Sequence, residues 1–187
     1  MATTLERPME TTVLHQASKI VAGKSYGAAA YIWGLLRLAM GWLFLWAFFD
    51  KLFGLGYATQ SENAWINGGS PTFGFLNFAS KGPLADVYQN IAGNLAVDWL
   101  FMVGLIAVGL ALMIGVGVKL AGYGGALMLL LMYTAGFILP ENNPFLDDHI
   151  VYAVIMIGLT VVPSGRWLGL GNWWTGTRLV RKHRVLE

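Results

Sequence analysis

Ala28-Ala29-Ala30-Tyr31-Ile32-Trp33-Gly34-Leu35-Leu36-Arg37-Leu38-Ala39-Met40-Gly41-Trp42-Leu43-Phe44-Leu45-Trp46-Ala47-Phe48-Phe49 is an apolar run with a single charge, Arg37, in its first half. A helix needs about twenty residues to cross a hydrocarbon core of roughly 30 Å, and this run supplies them. At 100° per residue Arg37, Gly41, Phe44 and Lys51 fall near one face, so two cations share a stripe about 21 Å long. That stripe is expected to face protein or water rather than lipid. An arginine at this depth costs roughly 2.5–3.5 kcal/mol even on the lenient insertion scale. Three outcomes are open for it: pairing with a carboxylate, binding an anion or polar headgroup, or snorkelling to the nearer surface. No acid lies at matching depth in any other apolar run, so an internal salt bridge is not evident.

The rest of the chain has the same character. Of its 187 residues 56% are hydrophobic and only 12% charged, with a mean hydropathy of +0.58, whereas a soluble domain is about a quarter charged. The chain contains no cysteine, which excludes disulfides, thiolate catalysis, cysteine-ligated iron–sulfur clusters and c-type haem attachment within it. A basic segment before an apolar run can be a signal peptide, but this run is too long and lacks a small-residue cleavage site, so it is expected to be retained.

Outward from the first span, residues 1–26 are expected to form a cytoplasmic tail, with Val13 to Ala22 able to make an amphipathic helix. Asp50-Lys51 closes the span. The glycine- and aromatic-rich residues that follow predict a long external loop, with Ser70-Pro71 starting one short helix and Pro83 another through Ile91. A second span is predicted from Ala96 to Ile114, entered by Asp98 and Trp99. A tight turn, Gly115-Val116-Gly117-Val118-Lys119, leads to a third from Leu120 to Leu139. Ala107 with Ala111, and Ala121 with Gly125, place small residues four apart, a spacing that lets helices approach closely.

The polar stretch Asn142-Asn143-Pro144-Phe145-Leu146-Asp147-Asp148-His149 precedes a fourth apolar run, Ile150 to Val162. That run is short unless Phe145 to His149 belong to the helix. The tail from Arg166 carries Trp167, Trp173 and Trp174 followed by Arg178, Arg181, Lys182 and Arg184, the pattern of an interfacial segment. The predicted fold is therefore an all-α membrane protein, a four-transmembrane-helix bundle over residues 27–165 with a long external loop between its first two helices. Residues 166–187 form a basic, tryptophan-rich cytoplasmic tail. Arg7, Lys19, Lys24, Lys119, Arg166, Arg178, Arg181, Lys182 and Arg184 lie on the side of the termini, and only Lys51 and Lys81 on the other. The positive-inside rule then puts both termini in the cytoplasm of a multi-pass cell-membrane protein.

Asp50, Lys51, Asp98, Asp147, Asp148 and His149 are expected to meet at the external boundary, where burial and mutual charge perturb proton affinity. Solvated helix ends and bundle-holding ion pairs are the alternative. No metal site is expected, since consecutive helical residues point about 100° apart and His149 has no partner imidazole. No phosphate loop, dinucleotide fingerprint or nucleophile elbow is present.

The run Gly34 to Phe44 ending in Asp50-Lys51-Leu52, the glycine-rich hairpin at 115–125, and Asn143-Pro144-Phe145-Leu146-Asp147-Asp148-His149 resemble the DoxX family of small four-helix membrane proteins, over roughly residues 28–165. The resemblance implies quinone-linked oxidation of thiosulfate to tetrathionate. It assigns Asp147, Asp148 and His149 to proton movement as the catalytic group. Arg37, Lys51, Trp46 and Asp98 become cofactor contacts, with Trp33, Trp42 and Phe48 as further stacking surfaces for a quinone. Candidate partners are the lipid bilayer, a second redox subunit and further copies of the chain, with no nucleic acid among them. A non-catalytic membrane scaffold and a small carrier or lipid-binding protein are the alternatives.

Overall fold

The computed structural model describes residues 7–137 and 146–186, with side chains from 27 onward. Among these residues every regular element is helical. Helix α1 (Arg7–Phe53) is followed by 3₁₀ turns, a π-helical turn at Phe75–Ala79 and the short α2 (Ala85–Asn90). Then come α3 (Leu95–Ile114), α4 (Val118–Gly136), α5 (Asp148–Val161), α6 (Gly171–Thr175) and α7 (Arg178–Lys182). Three of these are long and apolar enough to cross a membrane: α1 from Gly27, α3 and α4.

Helix α5 is shorter than the others. Its 14 residues rise about 21 Å against a core of roughly 30 Å. The sequence left its start open, and the structure resolves the point through the cap: Asp147 has an extended backbone and its carboxylate accepts the Ile150 N–H at 3.1 Å. The helix therefore begins at Asp148. Pro140, Glu141, Asn142, Asn143, Pro144 and Phe145, part of the polar stretch, lie outside the described residues.

Helix α1 packs on α3, α3 on α4, and α4 on α5, around a core that includes Met40, Phe44, Met102, Leu112, Leu129 and Met156. Of the small residues flagged in sequence, Ala121 and Gly125 are buried in this packing, whereas Ala107 is exposed. A Cβ on Gly125 would collide with Met156 of α5, and one on Gly109 with Leu45 of α1.

Arg37 is fully buried and meets none of the three expected outcomes. Its Nε donates to the Ser164 carbonyl at 3.1 Å; one terminal nitrogen donates to the Leu112 and Met113 carbonyls, and the other to those of Trp167 and Leu168 at 3.0 and 2.9 Å. Five N–H groups thus meet five main-chain oxygens, the full donor capacity of a guanidinium.

Two of those oxygens belong to the last turn of α3, where a helix leaves four carbonyls without an internal partner. The accounting there is complete. Ala111 accepts from Gly115 and Val116, Leu112 and Met113 accept from Arg37, and Ile114 accepts from Leu170 N at 2.9 Å. The approach requires glycine at 115: its φ is +82°, and a Cβ there would lie 2.7 Å from the Gly165 oxygen. Leu168, whose carbonyl also accepts from Arg37, holds φ +54°, a left-handed conformation that costs a leucine about 1–2 kcal/mol.

The C-terminal residues are folded onto this end. Val180 is buried, the Trp174 indole donates to the Leu186 carbonyl at 2.5 Å, and the Arg184–Leu186 turn lies against α4.

Replacing Arg37 by Met keeps much of its volume but strands five carbonyls. Because unsatisfied buried acceptors cost about 1–3 kcal/mol each before relaxation, we expect destabilisation on the order of 3–5 kcal/mol. Arg37→Lys should recover little, since one ammonium cannot span oxygens in separate segments. Thermal unfolding in detergent checks this, with the exposed Lys182→Met as the control expected to melt like wild type; a wild-type melting point for Arg37→Met would remove the clasp from the account of stability.

Candidate functional site

The acids at the opposite end do not share one hydrogen-bond network among the described residues. They divide among three places. Asp50, buried, accepts the N–H groups of Tyr57 and Ala58 at 3.2 and 3.0 Å, which pins the chain leaving α1. Asp98, also buried, accepts from Ser70 Oγ at 2.9 Å and from Thr72 N and Oγ1 at 3.2 and 2.5 Å, which fastens the 70–72 segment to the start of α3. Asp147, Asp148 and His149 form the third group at the start of α5. Among the described residues no hydrogen bond joins this group to another long helix, contrary to the expected network. The physical reason is local: the buried carboxylates are consumed by nearby loop N–H and hydroxyl donors, which satisfy them at less entropic cost than partners on distant helices.

The third group does converge, and this corrects the expectation that three consecutive residues must splay. That expectation held all three to helical geometry. Asp147, as the cap, is extended (φ −100°, ψ 173°) and folds its carboxylate back over the first turn. Its second oxygen lies 2.8 Å from His149 Nδ1, and an Asp148 oxygen lies 3.5 Å from the same atom. One potential ligand atom from each of the three lies within 4.8 Å of the others, so an imidazole and two carboxylates stand where they can hold a divalent ion or, without one, satisfy each other. With Nδ1–H donated to Asp147, the imidazole keeps Nε2 as its acceptor and base.

His149 and Asp148 also line a cavity of about 310 Å³ between α1, α3, α4 and α5. Helix α1 contributes Leu43, Phe44, Ala47 and Lys51; α3 contributes Phe101 and Leu105; α4 contributes Leu129 and Met132; α5 adds Tyr152. The chamber is apolar except for Lys51, Asp148, His149 and the Tyr152 phenol. The Lys51 ammonium sits 5.9 Å from the centre of the Phe101 ring, a cation–π distance. Among the described residues Lys51 makes that contact and no hydrogen bond.

Of the residues singled out by sequence, the structure brings Lys51, Asp148 and His149 to one cavity and sets Asp147 beside it. Arg37 lies in its carbonyl clasp about 21 Å away along α1, with every donor engaged. Asp98 fastens the 70–72 segment. Trp46 stands outside the lining, packed on Tyr57 at 5.0 Å and Trp42 at 5.9 Å, and Trp33 lies over Gly158. Sequence reasoning missed Phe101 and Tyr152. Each lies three residues beyond a flagged polar residue, Asp98 and His149, so helical spacing carried a usable signal for both.

No protein-family model, curated protein or solved structure matches the chain. Fold and cavity together define a helical protein with membrane-spanning-length helices and an amphiphilic chamber among them.

Asp147 has two separable tasks, and substitution distinguishes them. Asparagine caps a helix about as well as aspartate, while alanine costs about 1 kcal/mol. Asp147→Asn is therefore expected to melt like wild type and Asp147→Ala lower. Only the carboxylate fixes the His149 tautomer, so the imidazole nitrogen NMR shifts should change in both variants; unchanged shifts in Asp147→Asn would show that the carboxylate does not orient the ring.

Proposed function

We propose that the chain is a four-span membrane subunit, both termini cytoplasmic, that binds a quinone in the cavity between Lys51 and His149. The observation that carries this reading is the chamber itself: an apolar lining that also holds an ammonium, an imidazole, a carboxylate and a phenol. A quinone has the matching division, a ring with two carbonyl oxygens and an apolar tail. Leu43, Leu105, Leu129 and Met132 offer the apolar contact, Phe44 and Phe101 offer ring faces, and Lys51 has N–H groups to donate to a carbonyl.

A quinone held there would supply two-electron, two-proton redox chemistry. The protein's share is the proton traffic and the charge. His149, its Nδ1 engaged by Asp147, exchanges a proton through Nε2; Asp148, exposed, passes it to water; Lys51 offsets negative charge developing on the ring oxygen. The resemblance to the DoxX family supports thiosulfate or a related small sulfur compound as the electron source, two thiosulfates joining through a sulfur–sulfur bond with release of two electrons. The chain has no cysteine to hold a redox group, so a second redox subunit fits this role. In this reading Arg37 is a positioning residue that fixes α1, and with it Lys51, against α3.

Four spans rest on α1, α3, α4 and the shorter α5. Cytoplasmic termini rest on the cations: Lys119, Arg166, Arg178, Arg181, Lys182 and Arg184 all belong to the Arg37 end. A reporter fused after Glu187 should be active only in the cytoplasm, and activity outside would overturn that orientation.

Protein purified in mild detergent should carry extractable quinone, identified by mass spectrometry. Lys51→Met and His149→Ala should each lower its retention about tenfold, the equivalent of one lost charge-assisted hydrogen bond at ~1.4 kcal/mol, with Lys182→Met unchanged. Equal retention in all three, or none in the wild type, would defeat the proposal.

A further inference from the structure

Between α1 and α3 the chain exposes apolar side chains in a pattern that solvated loops do not keep. Around α2, Leu84, Val87 and Ile91 are 42%, 58% and 37% exposed. At 100° per residue they fall within a 60° arc, while Asp86, Gln89 and Asn90 occupy the opposite arc. Tyr88 lies between the two arcs and fixes the orientation: its hydroxyl is 2.6 Å from Thr134 Oγ1 near the end of α4. Immediately beyond, the first turns of α3 expose Leu95 and Trp99, and Leu100 after them, on a helix long and apolar enough to cross a membrane. Phe73, just before the neighbouring π-helical turn, and Phe78, on it, are exposed and in edge contact at 5.7 Å.

We propose that the 84–91 segment lies flat in the membrane interface at the Lys51–His149 end, with Leu84, Val87 and Ile91 turned into the lipid and Asp86, Gln89 and Asn90 into water. The occupant of this face is the bilayer. The argument is continuity: the exposed apolar arc runs into the lipid-length apolar surface of α3, with the indole of Trp99 at the junction, the depth aromatic side chains favour. An apolar face left in water here would be an exposed patch that grows with each of these neighbours. The Tyr88–Thr134 contact holds the segment's height relative to α4, so the interface falls near the level of the cavity's polar end. This goes beyond the quinone reading and does not depend on it.

The absence of native cysteine makes the test direct. Single cysteines at Val87 and Gln89, both exposed, are nitroxide-labelled in proteoliposomes of phosphatidylcholine and phosphatidylglycerol, and power saturation compares collision with oxygen and with a water-soluble nickel chelate. Leu100→Cys on α3 and Lys182→Cys provide lipid and water references, and unchanged melting points establish that the labelled proteins are folded. The expected result is an oxygen-dominated label at 87 and a nickel-dominated label at 89. Nickel access at both positions places the segment in water and overturns the proposal. Shielding of 87 from both reagents assigns the face to a protein contact and overturns it equally. A Leu100 label reached by nickel instead would strike at the membrane reading of α3, an outcome separate from either.

Discussion

A guanidinium buried without an acid is the constraint on which the rest of this structure turns. Arg37 carries its charge into a fully buried position, and among the described residues its partners are backbone dipoles. Two of its five carbonyl partners terminate α3, where the helix presents the negative end of its macrodipole; the other three follow α5. Each group answers the other's deficit. In a hydrocarbon surrounding, the end of α3 has no water to satisfy its carbonyls, and Arg37 has no water to satisfy its donors. Three separate segments, the middle of α1, the end of α3 and the chain at 164–168, are thereby fixed at one point.

The consequence for the site is positional. The clasp and the close packing at Gly115 hold α1 and α3 together at one end, and the cavity that Lys51 and His149 line lies toward the other. There α1, α3 and α4 contribute Leu43, Phe44, Leu105, Leu129 and Met132 to its lining. Asp50 and Asp98 accept hydrogen bonds from the loop that follows α1. The carboxylates nearest the chamber are then those at the start of α5, and they come paired with an imidazole.

Much of the helical architecture was legible in the amino-acid order, because apolar length and the small-residue spacing are properties of single segments. The ends of α3 and α4 fall within a few residues of their expected positions, and the turn expected over 115–119 narrows to 115–117, with Val118 and Lys119 already in α4. The short helix after Pro83 is present as α2. What could not be read was anything set by the partner of a polar group. Arg37 was visible as an anomaly, yet carbonyl oxygens occur at every residue and leave no trace in sequence, so its actual partners could not be named. Asp98 and Asp50 looked like members of one charged cluster because charge is legible and the competing Ser70, Thr72 and loop N–H groups are not distinctive. Trp46 looked like a stacking surface because it is aromatic, whereas Phe101 and Tyr152, which reach the cavity, are chosen only by the rotation of α3 and α5.

Arg37 and Lys51 illustrate how one stripe on one helix divides into two roles. Both lie near the same face, and a purely local reading treats them alike. Arg37 is planar with five donors, and its carbonyl surroundings use all of them, so it has no hydrogen-bonding capacity left for a ligand. Lys51 ends in a compact ammonium on a flexible stem, resting over Phe101 at the rim of an apolar chamber. A ring face offsets part of the charge but accepts no conventional hydrogen bond, so the ammonium remains able to donate. The geometry that denies a ligand to the first cation therefore leaves one possible at the second, a few turns along the same helix.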